Sequence, residues 1–157
     1  MSGPTPAPRP VLAVRLPNWL GDAILALRTV DALAERFADH DLVLLARPWA
    51  RPLLAARWPA ARWLPAPSAG GGWPAAVPAL MRLRARTIVV LPPSLSARLH
   101  AFVARVPQRV GLAHEEADFL LTRTAPRGPR GSRPLEDEYL DLVRGLGADP
   151  VARRPLV

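Results

Sequence analysis

The chain has 157 residues, half of them hydrophobic, which is enough for one domain with its own core and excludes disorder throughout. It has no cysteine, so disulfides and thiolate metal sites are excluded. The formal net charge is +8, and its 21 basic residues are all arginine beside 20 prolines; that bias fits a GC-rich coding sequence as well as a surface attracting phosphate or anionic lipid.

Residues 1–10 combine Pro with small residues and no apolar stretch, and read as a disordered tail without a targeting signal. A short apolar strand is predicted over 11–16. An amphipathic helix follows over 22–37, with Ala23, Leu27, Val30, Leu33 and Phe37 at helical spacing. Arg28, Asp31 and Glu35 fall on its opposite, wet face. Residues 41–46 are a nearly continuous apolar run, suited to a parallel strand covered on both sides. A short helix over 49–56, a short strand over 62–65 and a flexible loop over 68–72 come next. Pro74 then stands at the start of a helix over 75–84. A β-branched strand over 87–91 ends at Pro92 and Pro93. Ser94 caps a helix reaching 105, expected to bury Leu95, Leu99, Phe102 and Val106. Strands over 109–112 and 120–124 and a Pro/Gly/Arg loop over 125–133 lead to a last helix over 135–146. Leu135, Tyr139, Leu142 and Leu146 share one face of it, and Gly147 is its stop. Residues 148–157 read as the start of a linker. The longest apolar runs, 23–27 and 42–46, fall far short of the roughly 20 residues of a membrane span.

Strands alternating with helices give an α/β fold: a Rossmann-like, doubly wound parallel sheet over residues 11–147. Such a sheet binds ligands at the C-terminal edge of its strands, here the loops at 17–21, 47–48, 65–72, 92–94 and 113–118. Asp22 on that edge has two readings. An acid in the first turn of a helix is favoured by the macrodipole. A carboxylate beside a bound sugar also takes the proton of an attacking hydroxyl. Gly21 gives the backbone room, and Asn18 and Trp19 crown the loop, Trp19 either stacking on a sugar face or packing on the next helix. With one Gly, the loop is no dinucleotide fingerprint, and no Walker A sequence is present. Ser94, Ser96 and Arg98 open the helix after the fourth strand, where they either bind phosphate or simply cap the helix and face water. Arg98, Arg105 and Arg109 form either a basic stripe or a wet face. His40, His100 and His114 have no metal-ligand spacing, so no metal is assigned. Glu115, Glu116 and Asp118 read as solvated charge, and Glu136, Asp137 and Glu138 as acids favoured at a helix start.

Five segments together, 15–22, 44–53, 91–97, 106–111 and 138–147, resemble the bacterial lipopolysaccharide heptosyltransferases, glycosyltransferase family 9. The first, Arg15-Leu-Pro-Asn-Trp-Leu-Gly-Asp22, is the most specific. They stand in the family's order, and resemble the second heptosyltransferase of the inner core more than the first. The resemblance implies the N-terminal, acceptor-binding domain of a GT-B glycosyltransferase. It implies transfer of L-glycero-D-manno-heptose from ADP-heptose to the lipopolysaccharide inner core, with inversion. Asp22 is then the base, and Asn18, Trp19, Gly21, Ser94, Ser96 and Arg98 lie on the acceptor side. No cofactor is implied. The donor ADP-heptose is held mainly by a C-terminal domain that this chain lacks, so a partner domain or second chain is expected and the chain alone is expected to be inactive. A cytoplasmic location follows, with peripheral contact at the inner membrane and no nucleic acid. The alternatives are a basic, non-catalytic module for anionic lipid or nucleic acid, and a GT-B half with other sugars. Few aromatics and scattered arginines count against nucleic acid.

Overall fold

The computed structural model describes residues 7–66, 73–114 and 116–148, so the expected loop over 68–72 and most of the expected linker lie outside it. Period-two alternation sets the sheet. β1 (Val11–Arg15) is buried along its whole length. Leu12 and Val14 join one apolar cluster, Val11 and Ala13 the other. β2 (Asp41–Ala46) and β4 (Thr87–Val90) pair with β1 on its two sides. β3 (Arg62–Pro65) extends the sheet beyond β2; β5 (Gln108–Leu112) and β6 (Arg123–Ala125) extend it beyond β4. The order is β3-β2-β1-β4-β5-β6 and every pairing is parallel. The order reverses between β1 and β4, the switch point at which such sheets open a crevice.

Helices cover both faces, as continuous apolar strands require. On one side, α1 (Leu20–Leu25), α2 (Leu27–Arg36), α3 (Ala50–Leu54) and α6 (Leu135–Gly145) follow the first apolar cluster. There Val30, Leu33, Tyr139 and Val143 pack with Leu12 and Val14. On the other side, α4 (Trp73–Leu83) and α5 (Leu95–Val103) bring Val77, Leu80, Ala97 and Ala101 onto Val11 and Ala13. Gly147 takes φ 75° and ends α6 where a left-handed stop was expected. No helix among the described residues is long and apolar enough to cross a membrane.

The expected helix over 22–37 is two helices, beginning earlier, at Leu20. The break is a local tightening: the Ala26 N–H is shared between the Asp22 and Ala23 carbonyls at 3.0 and 3.2 Å. Asp31 is not on a wet face. It is buried, and its carboxylate accepts from Arg57 Nη2 at 2.6 Å, Arg57 Nε at 3.1 Å and Trp58 Nε1 at 3.0 Å. Those partners arrive from the segment after α3. The buried stripe of α5 is also not the expected one. Leu95 and Phe102 are exposed, Leu99 is half-buried, and Ala97, Ala101 and Ala104 meet the sheet instead. Arg98 and His100 share that buried side, so no basic stripe of Arg98, Arg105 and Arg109 exists. β6 starts later than expected because Asp118–Leu120 form a 3₁₀ turn. α4 starts at Trp73 rather than 75 and closes at Leu83, where Arg84 takes φ 50°. The Pro-rich N-terminal segment is fixed from Arg9 on. The Arg9 guanidinium donates to the Asp39 and His40 carbonyls, both at 3.1 Å, and the Pro10 carbonyl accepts from the Asp41 N–H at 2.8 Å.

Candidate functional site

A cleft of about 1090 Å³ opens at the C-terminal edge of the sheet, beside the switch point. Asp22, in the first turn of α1, and Pro93, after β4, line it. The segment after β5 adds His114, Glu116 and Asp118. The opposite wall is the loop 126–134 with the first turns of α6, and it brings Arg127, Arg130, Arg133 and Glu138.

Each wall has a local cause. β1 ends where the Leu16 N–H makes its last ladder bond, to the Leu45 carbonyl at 2.9 Å. Arg15 is buried beneath the turn that follows, donating to the Leu16 carbonyl and, at 2.6 Å, to Asn18 Oδ1. Burial, and then the like charge of Arg47, lowers the Arg15 guanidinium to about 10. Trp19 is extended and opens α1 without a side-chain cap, which sets Asp22 in the first turn. Tyr139 of α6 is buried behind Asp22. Burial first, and the Asp22 charge second, push its phenol well above the usual range.

The segment after β5 is held from inside the core. Arg98 is 1% exposed. Its Nη1 donates to Asp118 Oδ1 at 2.9 Å and its Nη2 to the Leu112 carbonyl at 2.5 Å. The same Asp118 oxygen accepts from the His114 N–H at 2.7 Å. Asp118 is thus a brace rather than the solvated charge expected. Nearby, His100 is buried, and burial first and the Arg15 charge second hold its ring below the usual imidazole range.

The arginine loop is shaped by Pro126, Pro129 and Pro134 and by Gly131, whose φ of 82° favours glycine. Arg127 Nε lies 3.5 Å from Glu138 Oε2, and Arg133 Nη1 lies 2.8 Å from Asp141 Oδ2. Arg130 is exposed and has no charge partner among the described residues. The cleft lining thus mixes four carboxylates, Asp22, Glu116, Asp118 and Glu138, with Arg127, Arg130 and Arg133, and of these arginines Arg127 and Arg133 are ion-paired. Such a mixture of donors and acceptors suits a hydroxylated ligand, with Arg130 available to a negative group on it.

Of the residues given a catalytic or acceptor-binding role from sequence, Asp22 alone lines this cleft, while the expected edge loops 92–94 and 113–118 add Pro93, Ala113, His114, Glu116 and Asp118. Asn18 is bound to Arg15, and Trp19 is 77% exposed outside the cleft lining. A Cβ on Gly21 would meet nothing within 4 Å, so no close approach there demands glycine. Ser94 caps α5, its Oγ accepting from the Ala97 N–H at 3.3 Å, and Ser96 is exposed. Arg98 is spent on Asp118 and Leu112 and is no open phosphate ligand. Sequence reasoning passed over Arg127, Arg130 and Arg133. The signal was present: three arginines within seven residues of a Pro/Gly loop.

No family model matches the sequence, and neither does any curated protein. Solved structures share the fold, among them the following two. The E. coli ADP-heptose LPS heptosyltransferase II aligns with TM-score 0.68 and 25% identity, over 83% of this chain and 39% of that one. A family 9 glycosyl transferase from Veillonella parvula aligns with TM-score 0.69 and 16% identity, over 92% of this chain and 44% of that one. The chain spans less than half the length of either. Its sheet and helices have the Rossmann-like fold of GT-B, family 9 glycosyltransferase structures. The likeness is one of fold, over the part of each neighbour that this chain spans.

Proposed function

We propose that this chain is the acceptor-side half of a cytoplasmic glycosyltransferase that moves heptose from ADP-heptose to the lipopolysaccharide inner core. The observation that carries the reading is the position of Asp22. It follows the central strand at the switch point, lines the cleft, and faces the arginine loop. An acceptor bound there sets a hydroxyl against the Asp22 carboxylate. As the hydroxyl oxygen attacks the anomeric carbon, Asp22 takes its proton and the bond to ADP breaks on the opposite side, which inverts the centre. Arg127 and Arg130 hold negative groups of the acceptor, while Trp19, Ser94 and Ser96 offer rim contacts. A second Rossmann-like domain supplies most of the contacts to the donor.

The test is a nuclear magnetic resonance titration of the chain with an inner-core oligosaccharide ending in heptose. Amide shifts are expected at Asp22, His114 and 127–131, and Asp22→Asn is expected to bind within about twofold of wild type. In the enzyme with its donor domain, Asp22→Asn lowers kcat by about 10²- to 10⁴-fold with little change in KM. Shifts confined to another face, or an unchanged kcat, would refute the reading.

A further inference from the structure

Between Leu42 and His114 the sequence holds ten arginines and no aspartate or glutamate. α4, β4, α5 and β5 all lie in that stretch. α4 and α5 pack side by side over one face of the sheet, and the 3₁₀ turn Asp118–Leu120 packs against α5. The outer side of this layer is apolar and basic together. α5 turns its alanines to the sheet and leaves Leu95, Phe102 and Val103 exposed by 58, 46 and 42%. Met81 of α4 and Phe119 of the turn are 50 and 74% exposed. Leu95, Leu99 and Phe102 follow i, i+4, i+7 spacing and make one stripe along α5. Arg82, Arg84, Arg86 and Arg105 are all exposed at the ends of the same two helices. The Arg109 guanidinium lies 5.3 Å from the centre of the Phe102 ring.

Two of these arginines sit where the backbone disfavours them. Arg84 at φ 50° and Arg105 at φ 54° are the only non-glycine residues of positive φ among those described. They occupy matching places, each closing its helix in a Schellman-type turn. The Ala85 N–H reaches the Leu80 carbonyl at 3.4 Å, and the Val106 N–H reaches the Ala101 carbonyl at 3.2 Å. Glycine fits that position with least strain. The helix dipole favours a cation near a C-terminus, but Arg82, in the last turn of α4, meets that need without strain. Glycine in place of Arg84 would relieve its strain while Arg82 keeps a cation at the end of α4, so the Arg84 charge is free to act outside the fold.

We propose that the outer α4–α5 face is a docking surface for an anionic lipid bilayer. Leu95, Phe102, Val103 and Met81 enter the boundary between headgroups and acyl chains, and the surrounding arginines meet lipid phosphates. No acid between residues 42 and 114 repels those phosphates, and the acids beside Phe119, Glu116 and Asp118, line the cleft. A nucleic acid would engage the same guanidinium groups, but it offers nothing to exposed leucine, valine and methionine. The stripe starts two residues after Pro93, which lines the cleft. On the proposed function, docking therefore brings a bilayer-anchored acceptor to the cleft rim; the docking itself does not rest on that function.

The experiment is co-sedimentation of the whole chain with vesicles of phosphatidylcholine alone and of equal parts phosphatidylcholine and phosphatidylglycerol. Binding is expected to the anionic vesicles only, weakening as salt rises. One arginine near such a surface contributes about fivefold in partitioning. Arg84→Gly with Arg105→Gly should therefore weaken binding about 25-fold without lowering the melting temperature, since glycine suits both turns. Phe102→Ser with Val103→Ser should also weaken it, and should make what remains more sensitive to salt. Equal binding to neutral vesicles, or full binding by the double glycine variant, overturns the proposal. So does full vesicle binding by the serine variant together with equally tight binding of a duplex oligonucleotide. Asp22→Asn should sediment like wild type, so a failed docking surface and a failed catalytic reading give different results.

Discussion

Arg98→Met tests whether the buried arginine holds the cleft. Methionine keeps much of the packing volume of the stem and removes only the guanidinium. Two charge-assisted bonds go, to Asp118 and to the Leu112 carbonyl; such bonds contribute about 1.5–3 kcal/mol each. The Leu112 carbonyl loses that partner within the core. Asp118 is 37% exposed at its side chain and still accepts from the His114 N–H, so water recovers part of the loss. The net cost comes to about 3 kcal/mol. For a chain of this size that lowers the melting temperature by roughly 6–12 °C. Asp118→Asn should cost a similar amount, because it leaves a fully buried cation facing a neutral amide. Urea denaturation of both single variants and of the pair closes a double-mutant cycle, with an expected coupling of about 2 kcal/mol. Hydrogen exchange supplies a local reading. The His114 amide loses its anchored acceptor in Arg98→Met and should exchange at least about tenfold faster than amides of β1, after correction for global stability. A coupling below about 0.5 kcal/mol, or unchanged His114 protection, would show that Arg98 does not hold the cleft segment.

Asp31→Ala should destabilise the fold by about 3–5 kcal/mol, since it strips a buried partner from Arg57 and from the Trp58 N–H; a loss under about 1 kcal/mol in urea denaturation would contradict that. His100 gives a pH dependence of fixed sign. Its folded pKa lies below the unfolded 6.5, because burial and then Arg15 disfavour the imidazolium. The unfolded chain therefore takes up the proton first, and stability present above pH 6.5 is lost as pH falls through 6.5 toward the folded value. Denaturation midpoints of wild type should decline across that window, and His100→Gln should flatten the decline. An equal slope in both proteins would refute the assignment.

The sheet was legible because continuous apolar runs need no knowledge of their neighbours. Residues 41–46 and 62–65 are strands with the bounds read from sequence, and the alternation of strand and helix implies a parallel order. The loop before Asp22 was legible for a similar reason, since apolar strand, tight turn and acidic helix start are all local. What failed depended on partners distant in sequence. Asp31 reads as a wet residue until Arg57 and Trp58 arrive, 26 and 27 residues later. Arg98 reads as a phosphate ligand until the 3₁₀ turn delivers Asp118, 20 residues on. The Pro/Gly/Arg loop carries no site in the sequence reading because its place depends on α6 folding back beside α2, a contact that Arg28 and Glu136 seal at 3.2 Å.

α5 has the Ser94 cap and the buried Val106 expected of it but turns another face to the core, and the reason bears on function. It carries two apolar stripes at helical spacing, a large one with Leu95, Leu99 and Phe102 and a small one with Ala97, Ala101 and Ala104. Hydrophobic area alone selects the large stripe for the core. The structure buries the small one, and with it Arg98, which no stripe of leucines would have accommodated. Inverting the helix thus meets two needs in one step. Inward, it carries a cation to the back of the cleft, where Arg98 fixes the segment that holds His114 and Asp118. Outward, it presents the larger apolar side chains to whatever lies beyond the protein. The small residues let α5 pack closely on the sheet, where larger side chains would overfill the layer. The same choice leaves Leu95 and Phe102 on the outer face, where the proposed docking surface lies.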